Sequence, residues 1–422
     1  MKSIIPELLE LCAGLDVHKK TVVATIMIGF GKKMKKETRT FHTMTDDIRQ
    51  MAEWLKGYGI EKIVIESTGV YWKPIFNILE GEYHLEVILA NAYQVKNVPH
   101  RKSDVKDSEW LCYLLKNGFI SPSFIPPMDI RNLRELVRFR QSHVALLTAS
   151  KNRLIKALES KNIKLCSVLC DAFGPTGFKI IRLIASGNIR PKSLAACFVR
   201  KVRATKEEII KALTGTIQAQ DIKLFKFLLR AIDEQIALIS DIEKEIDLLM
   251  PKYKSEYSLL TTIPGIGDKV AKTIISEAGT NMAAFPTSQN FASWTGLTPR
   301  TNESAGKRKN TSISGGNGYI RKALVEAAWS AVNTKNSYWN TEFHRLRSRL
   351  GMKKAIVAIA RKLAECVHSV LLSKNIYQER GAHGSDAKLK EGRIKYYQKK
   401  LKELGIVIPA VEKTDSQGTV CK

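Results

Sequence analysis

The apolar stretch from Thr21 to Ile28, with the segment leading into it (Ala13-Gly14-Leu15-Asp16-Val17-His18-Lys19-Lys20), most constrains the fold. Val22, Val23, Thr25, Ile26 and Ile28 are β-branched, and such side chains suit the pleated, half-buried surface of a sheet. The run predicts one strand over about residues 12–28. A single acid, Asp16, sits near its start. A rigid strand is a suitable mount for a metal-binding carboxylate. An acid that closes a turn, or pairs with Lys19 or Lys20, would read the same way.

Beyond this run the chain alternates between strand and helix. Thr38 to Thr43 predicts a second strand, and Asp46 to Lys56 a helix with Ile48, Met51, Ala52 and Leu55 on one face. Lys62 to Glu66 is a strand ending on an acid, Val70 to Leu79 a helix, and Leu85 to Leu89 a further strand. This alternation indicates an α/β layer. A polar loop from Asn91 to Lys102 leads to a helix start at Ser103-Asp104-Val105-Lys106-Asp107. Pro122, Pro126 and Pro127 close a first domain, residues 1–125.

Residues 126–255 read as helical and basic, with Arg131, Arg134, Arg138 and Arg140 expected on the exposed side. Ile232, Ile236, Ile239, Ile242, Ile246 and Leu249 step close to a coiled-coil seam. That seam predicts a partner helix, from this chain or from a second copy in a homo-oligomer. Residues 256–375 form a further, mostly helical unit, and 376–422 a basic tail in which Leu389 to Leu404 predicts a charged helix.

Charge narrows the function. Sixty-eight Lys and Arg against 41 Asp and Glu leave the chain at +27. Residues 300–422 hold 25 of the former and 10 of the latter, hence +15 of that excess. Binding a polyanion is the direct explanation, since each neutralised phosphate releases counterions. No apolar run is long enough to span a membrane and the N-terminus lacks a signal-peptide plan, so a cytoplasmic protein without a membrane partner is expected. The seven cysteines are scattered without zinc-ligand spacing, which predicts reduced thiols and no structural zinc.

Four acids stand in settings that suit catalysis: Asp16, Glu66, Asp104 and Asp107. The last two lie three apart and share a helix face. Hard cations such as Mg²⁺ take oxygen ligands, and a pair of them can activate a nucleophile and stabilise a leaving oxygen in phosphoryl transfer. Acids in a first helical turn also simply complement the helix dipole.

The segments Gly14 to Lys19, Ile65 to Trp72 and Lys102 to Ser108 closely resemble the DEDD transposases of bacterial insertion sequences. So do Ile263-Pro264-Gly265-Ile266-Gly267, Ala292 to Arg300, Gly316 to Leu324 and the helix from Lys353 to Leu372, so that the resemblance covers about residues 12–375. It implies an RNase H-like fold, similar to the junction resolvase RuvC, in which Asp16, Glu66, Asp104 and Asp107 bind Mg²⁺. It further implies donor and target DNA as substrates and a structured guide (bridge) RNA as partner. The family uses a serine as covalent nucleophile, which carries over to Ser304 in the polar loop Thr301 to Lys309. The family pattern is Ser-Gly, whereas this chain reads Ser304-Ala305-Gly306, with Ser312 and Ser314 nearby.

Lys307, Arg308 and Lys309 beside that serine, and Arg321 beyond it, are expected to contact nucleic acid. Gly265 and Gly267 resemble a helix-hairpin-helix turn whose amides meet a DNA phosphate; a plain helix-capping turn fits them equally. Three functions remain in view: a transposase, a site-specific DNA invertase with the same motifs, and a repressor that binds without catalysis.

Overall fold

Three polar residues, His18, Lys19 and Lys20, divide what the β-branched run predicts as one strand. In the computed structural model β1 (Leu11–Val17) and β2 (Thr21–Ile28) form an antiparallel hairpin, closed where the His18 amide donates to the Thr21 carbonyl at 2.9 Å. The structure describes residues 8–67, 69–91, 95, 107–188, 190–198, 204–299, 302–304, 307–310 and 312–379, with scattered positions from 394 to 403. The chain divides into two units, Met1–Ile125 and Pro126–Lys422.

In the first unit β3 (Lys35–His42) extends the hairpin, and α1 (Thr45–Gly57) buries the predicted face of Ile48, Met51, Ala52 and Leu55. Next come β4 (Lys62–Glu66), α2 (Trp72–Gly81), β5 (Glu86–Ala90) and α3 (Asp107–Lys116). The sheet order is β3-β2-β1-β4-β5, with β4 parallel to both β1 and β5. This five-stranded mixed sheet is consistent with the RNase H-like expectation.

Both faces of the sheet are covered. Ala13, Leu15, Val17, Ile63 and Ile65 turn to the side packed by α1 and α2. Cys12, Met27 and Val64 meet Trp110, Leu111, Cys112 and Leu115 of α3 on the other side. Side chains alternate along a strand, so this division fixes where every strand residue points.

In the second unit α4 (Met128–Glu159) and α9 (Ala219–Leu249) pack along one another. Between them lie α5 (Leu165–Val168), α6 (Pro175–Ala185), α7 (Pro191–Ala195) and α8 (Lys206–Ala212), which enclose a core of Leu154, Leu158, Ile180, Ile184, Leu194, Phe225 and Ile232. The expected seam is only partly closed: Ile232, Ile239, Ile242 and Ile246 are buried, while Ile236 and Leu249 are about 40% exposed. The cover comes from α4 of the same chain, so the stripe does not call for a second copy.

The arginines of α4 also depart from expectation. Arg140 pairs with Glu243 of α9, and Arg134 and Arg138 pair with a buried glutamate, Glu277, far along the chain. They are half-buried connectors between helices. Periodicity identifies a face but not what covers it.

The rest of this unit is α10 (Lys254–Thr261), α11 (Asp268–Ala278), α12 (Ser288–Trp294), the short pair β6 (Asn302–Ser304) and β7 (Lys307–Asn310), α13 (Gly318–Val332), α14 (Tyr338–Leu350) and α15 (Met352–Ser373). The charged helix expected over Leu389 to Leu404 falls largely outside the described residues. Among the described residues no helix is long and apolar enough to cross a membrane, and the six described cysteines are free thiols.

Candidate active site

Asp16 and Glu66 occupy matching places on neighbouring parallel strands. Leu15 of β1 stands opposite Ile65 of β4, so the next residues, the two acids, follow side by side near the ends of adjacent strands. Parallel strands run about 4.8 Å apart. Both acids have even-strand parity with Cys12 and Val64, which places them on the α3 face.

Helix α3 meets that face in very close approach. A Cβ on Gly14 would lie 2.3 Å from the Ser108 carbonyl oxygen and 2.5 Å from the Cys112 nitrogen, so only glycine lets the helix backbone sit there. Ser108 is fully buried and its hydroxyl lies 2.8 Å from that of Thr25. Asp107, the preceding residue and the first of α3, is thereby held at the acidic end of the sheet, and it is exposed. Asp16 is contacted at 3.1 Å by His18 Nε2, in place of the lysine pairing that proximity in sequence allows.

Carboxylate oxygens are the donors a hard divalent cation takes, so the chemistry of this face fits a divalent cation. Among the described residues no three His, Cys, Asp or Glu side chains already stand close enough to hold an ion. Asp104, the fourth expected acid, lies outside the described residues.

The expected nucleophile lies in the second unit, on a two-stranded ribbon. From its root upward, the Ser314 amide donates to the Thr298 carbonyl at 2.8 Å, Pro299 bridges Ile313, and Asn302, Glu303 and Ser304 face Asn310, Arg308 and Lys307. Ser304 and Lys307 form the last pair at the tip, beyond a register shift between Asn302 and Glu303. Ser314 belongs to the root, with its hydroxyl 3.1 Å from that of Thr298. Ala305 and Gly306 lie outside the described residues.

The root is anchored by residues whose role the sequence does not announce. Gly296, with φ of +74°, and Gly316 pack backbone to backbone: a Cβ on Gly316 would lie 2.4 Å from the Gly296 nitrogen. Asn317 accepts from the Tyr319 and Ile320 amides, capping α13, and its own amide donates to the Trp294 carbonyl at 3.0 Å.

Its side-chain nitrogen donates to Glu277 Oε2 at 2.6 Å. Glu277, fully buried, also takes two 2.7 Å hydrogen bonds from Arg138, which stacks over the Tyr319 ring at 4.4 Å. Against a burial that would lower it, the hydrogen bonds of Glu277 raise the Arg138 pKa; burial pulls Arg134 down to about 10. One sequence signal does point here: a glutamate on the apolar face of α11.

Other expected contacts fall differently. A Cβ on Gly265 would lie 2.2 Å from the Ala327 carbonyl oxygen of α13, so helix packing suffices to explain this glycine, whereas Gly267 has open space. Arg321 brings its guanidinium beside Gly296, at the ribbon root.

Two family models match the chain. One, described as transposase and of the DEDD IS110 type, covers residues 13–163. The other, described as transposase of the IS116/IS110/IS902 family, covers residues 257–345. A probable family 20 transposase of Pseudomonas aeruginosa is 23% identical over 299 residues, spanning 70% of this chain and 79% of the relative.

Proposed function

The chain belongs to the IS116/IS110/IS902 family of transposases, and from that premise we propose that it cuts and rejoins DNA through a Mg²⁺-binding acidic face and a serine nucleophile. Membership implies DNA as substrate and strand cleavage and transfer as reaction. The observation that carries the finer reading is the side-by-side placement of Asp16 and Glu66 on the face where Gly14 admits α3 and hence Asp107. Asp104 is proposed as the fourth ligand. Like charges gathered this way repel, and a divalent cation relieves the repulsion. When bound, Mg²⁺ supplies Lewis-acid stabilisation of charge on phosphate oxygens.

Ser304 is proposed as the attacking group. Its place in the tip pair of the ribbon, against the root position of Ser314, favours it. The serine oxygen forms a bond to phosphorus as the bond from phosphorus to a sugar oxygen breaks, and the serine proton ends on that sugar oxygen. The phosphodiester energy is kept in the protein–DNA bond, so rejoining needs no nucleotide, and the sequence contains no P-loop. Lys307, Arg308 and Lys309 are proposed to offset charge on the phosphorane, and Arg321 and Gly267 to contact the backbone of the nucleic acid.

A structured RNA transcribed beside the gene is proposed as guide, docking on basic surface, and assembly into a dimer or tetramer is proposed because exchange requires several cuts. The reading is tested by strand exchange between donor and target duplexes with Mg²⁺, with and without RNA transcribed from the flanking DNA. Exchange that requires both supports it. Strand inversion between fixed sites, or binding without cleavage, would favour the invertase or the repressor instead.

A further inference from the structure

We infer that Glu277 is a positioning residue for the serine ribbon, acting through Asn317 to hold the ribbon's root against the helices. The inference rests on the reading of Ser304 as nucleophile for its catalytic consequence, but not for its structural one.

A carboxylate buried to zero exposure is costly unless every lone pair is used. Here Arg138 takes both oxygens through its planar fork at 2.7 Å each, and Arg134 approaches Oε2 at 3.5 Å. One further hydrogen bond is accepted, from Asn317 at 2.6 Å. An ionised carboxylate only accepts, so it selects the amide nitrogen of Asn317. The amide oxygen is therefore left facing the Tyr319 and Ile320 amides of α13, 3.0 and 3.3 Å away. One side chain is thus held at both ends.

Asn317 lies three residues after Ser314, the last paired residue of the ribbon, and its backbone amide bonds Trp294 at the end of the helix that precedes the ribbon. Both legs of the ribbon consequently leave from one fixed point. The Arg138–Glu277–Asn317 chain also reaches from α4, so the helical hairpin and the ribbon root share a buried charge. A structural ion pair alone would not require the asparagine, because Arg134 and Arg138 already bracket the carboxylate.

The test uses the full-length protein. Asn317→Asp keeps a good helix cap but sets a carboxylate against Glu277 and removes the donor. Asn317→Ser keeps a cap and cannot reach. In both, amide exchange at Ser314, whose N–H bonds Thr298, is expected to rise about tenfold, with exchange in α4 and α15 unchanged. Formation of the serine–DNA adduct is expected to slow by about 100-fold, the effect of a displacement near 1 Å, at unchanged DNA affinity. Pairing Asn317→Asp with Glu277→Gln restores a donor facing residue 317 but turns the same amide nitrogen against Arg138 Nη2, so it should recover only part of both losses.

Unchanged exchange at Ser314 would overturn the anchoring. Faster exchange with an unaltered rate of adduct formation at Ser304 would overturn its catalytic role. A wild-type adduct at another residue would instead remove the Ser304 reading, and the exchange data would still decide the anchoring.

Discussion

Replacing Gly14 with alanine adds one carbon at the contact on which the acidic face depends. The new Cβ would stand 2.3 Å from the Ser108 oxygen and 2.5 Å from the Cys112 nitrogen, both backbone atoms of α3 that no rotamer change can move aside. Ordinary contact begins near 3.4 Å, so α3 must withdraw by roughly 1 Å. Overpacking of this kind costs about 1–3 kcal/mol, and stretching the buried Thr25–Ser108 hydrogen bond adds about 1 kcal/mol. Reduced freedom of the unfolded chain returns about 0.4–1 kcal/mol, leaving a net loss of about 1–3.6 kcal/mol.

The functional loss should be of comparable size. Asp107 is covalently next to Ser108, so the same shift carries it away from Asp16 and Glu66, and about 1 Å at a catalytic group costs on the order of 100-fold in rate. Native-state amide exchange of β1 and β4 measures the stability of this unit without requiring the whole chain to unfold in one step. DNA cleavage with Mg²⁺ measures the rate. Gly57→Ala, at the end of α1 with open space around it, serves as the neutral control. A Gly14→Ala protein with wild-type protection and wild-type cleavage would refute the claim that this contact sets the geometry.

Asp16→Asn should abolish cleavage while leaving DNA affinity intact, and full activity in this variant would remove the metal reading; filter binding beside a cleavage assay separates the two. Glu342 is a buried acid whose pKa is held below the ordinary range: burial alone would raise it, but hydrogen bonds from Arg345 and Lys362 outweigh that. Its contribution is therefore complete above the unfolded value of about 4.3 and is lost as pH falls through the lower folded value. Melting temperature against pH should fall more steeply below about pH 4.3 in the wild type than in Glu342→Gln, and parallel curves would deny the pair a role. Light scattering with nucleic acid bound should report a dimer or tetramer, and a strict monomer would contradict the proposed assembly.

Much of the first unit is legible in the sequence because it obeys short-range rules. The 3.6-residue spacing of Ile48, Met51, Ala52 and Leu55 identifies the buried face of α1, and the strand carrying Glu66 ends on that residue. The split between β1 and β2 is harder to read, because β-branched residues mark extended chain without marking its reversal. The three polar residues at 18–20 are the turn. That Asp16 and Glu66 share a face accords with alternation, but their adjacency depends on the register of β1 against β4, which no local pattern encodes. The arginines of α4 escape sequence reading for the same reason, since Glu277 lies about 140 residues away. Gly14, inside the predicted strand, and Gly316 carry no local mark of a close contact in sequence, and only the neighbouring backbones reveal why a side chain is excluded.

Stopping the DNA reaction with denaturant and mapping any covalent protein–DNA bond by peptide mass tests the serine mechanism at its reacting atom. One adduct is expected, on Ser304, formed only with Mg²⁺ and absent from both Ser304→Ala and Asp16→Asn. An adduct on Ser312 or Ser314 would move the nucleophile along the ribbon, and cleavage with no adduct at all would contradict the serine mechanism in favour of direct hydrolysis at the acidic face.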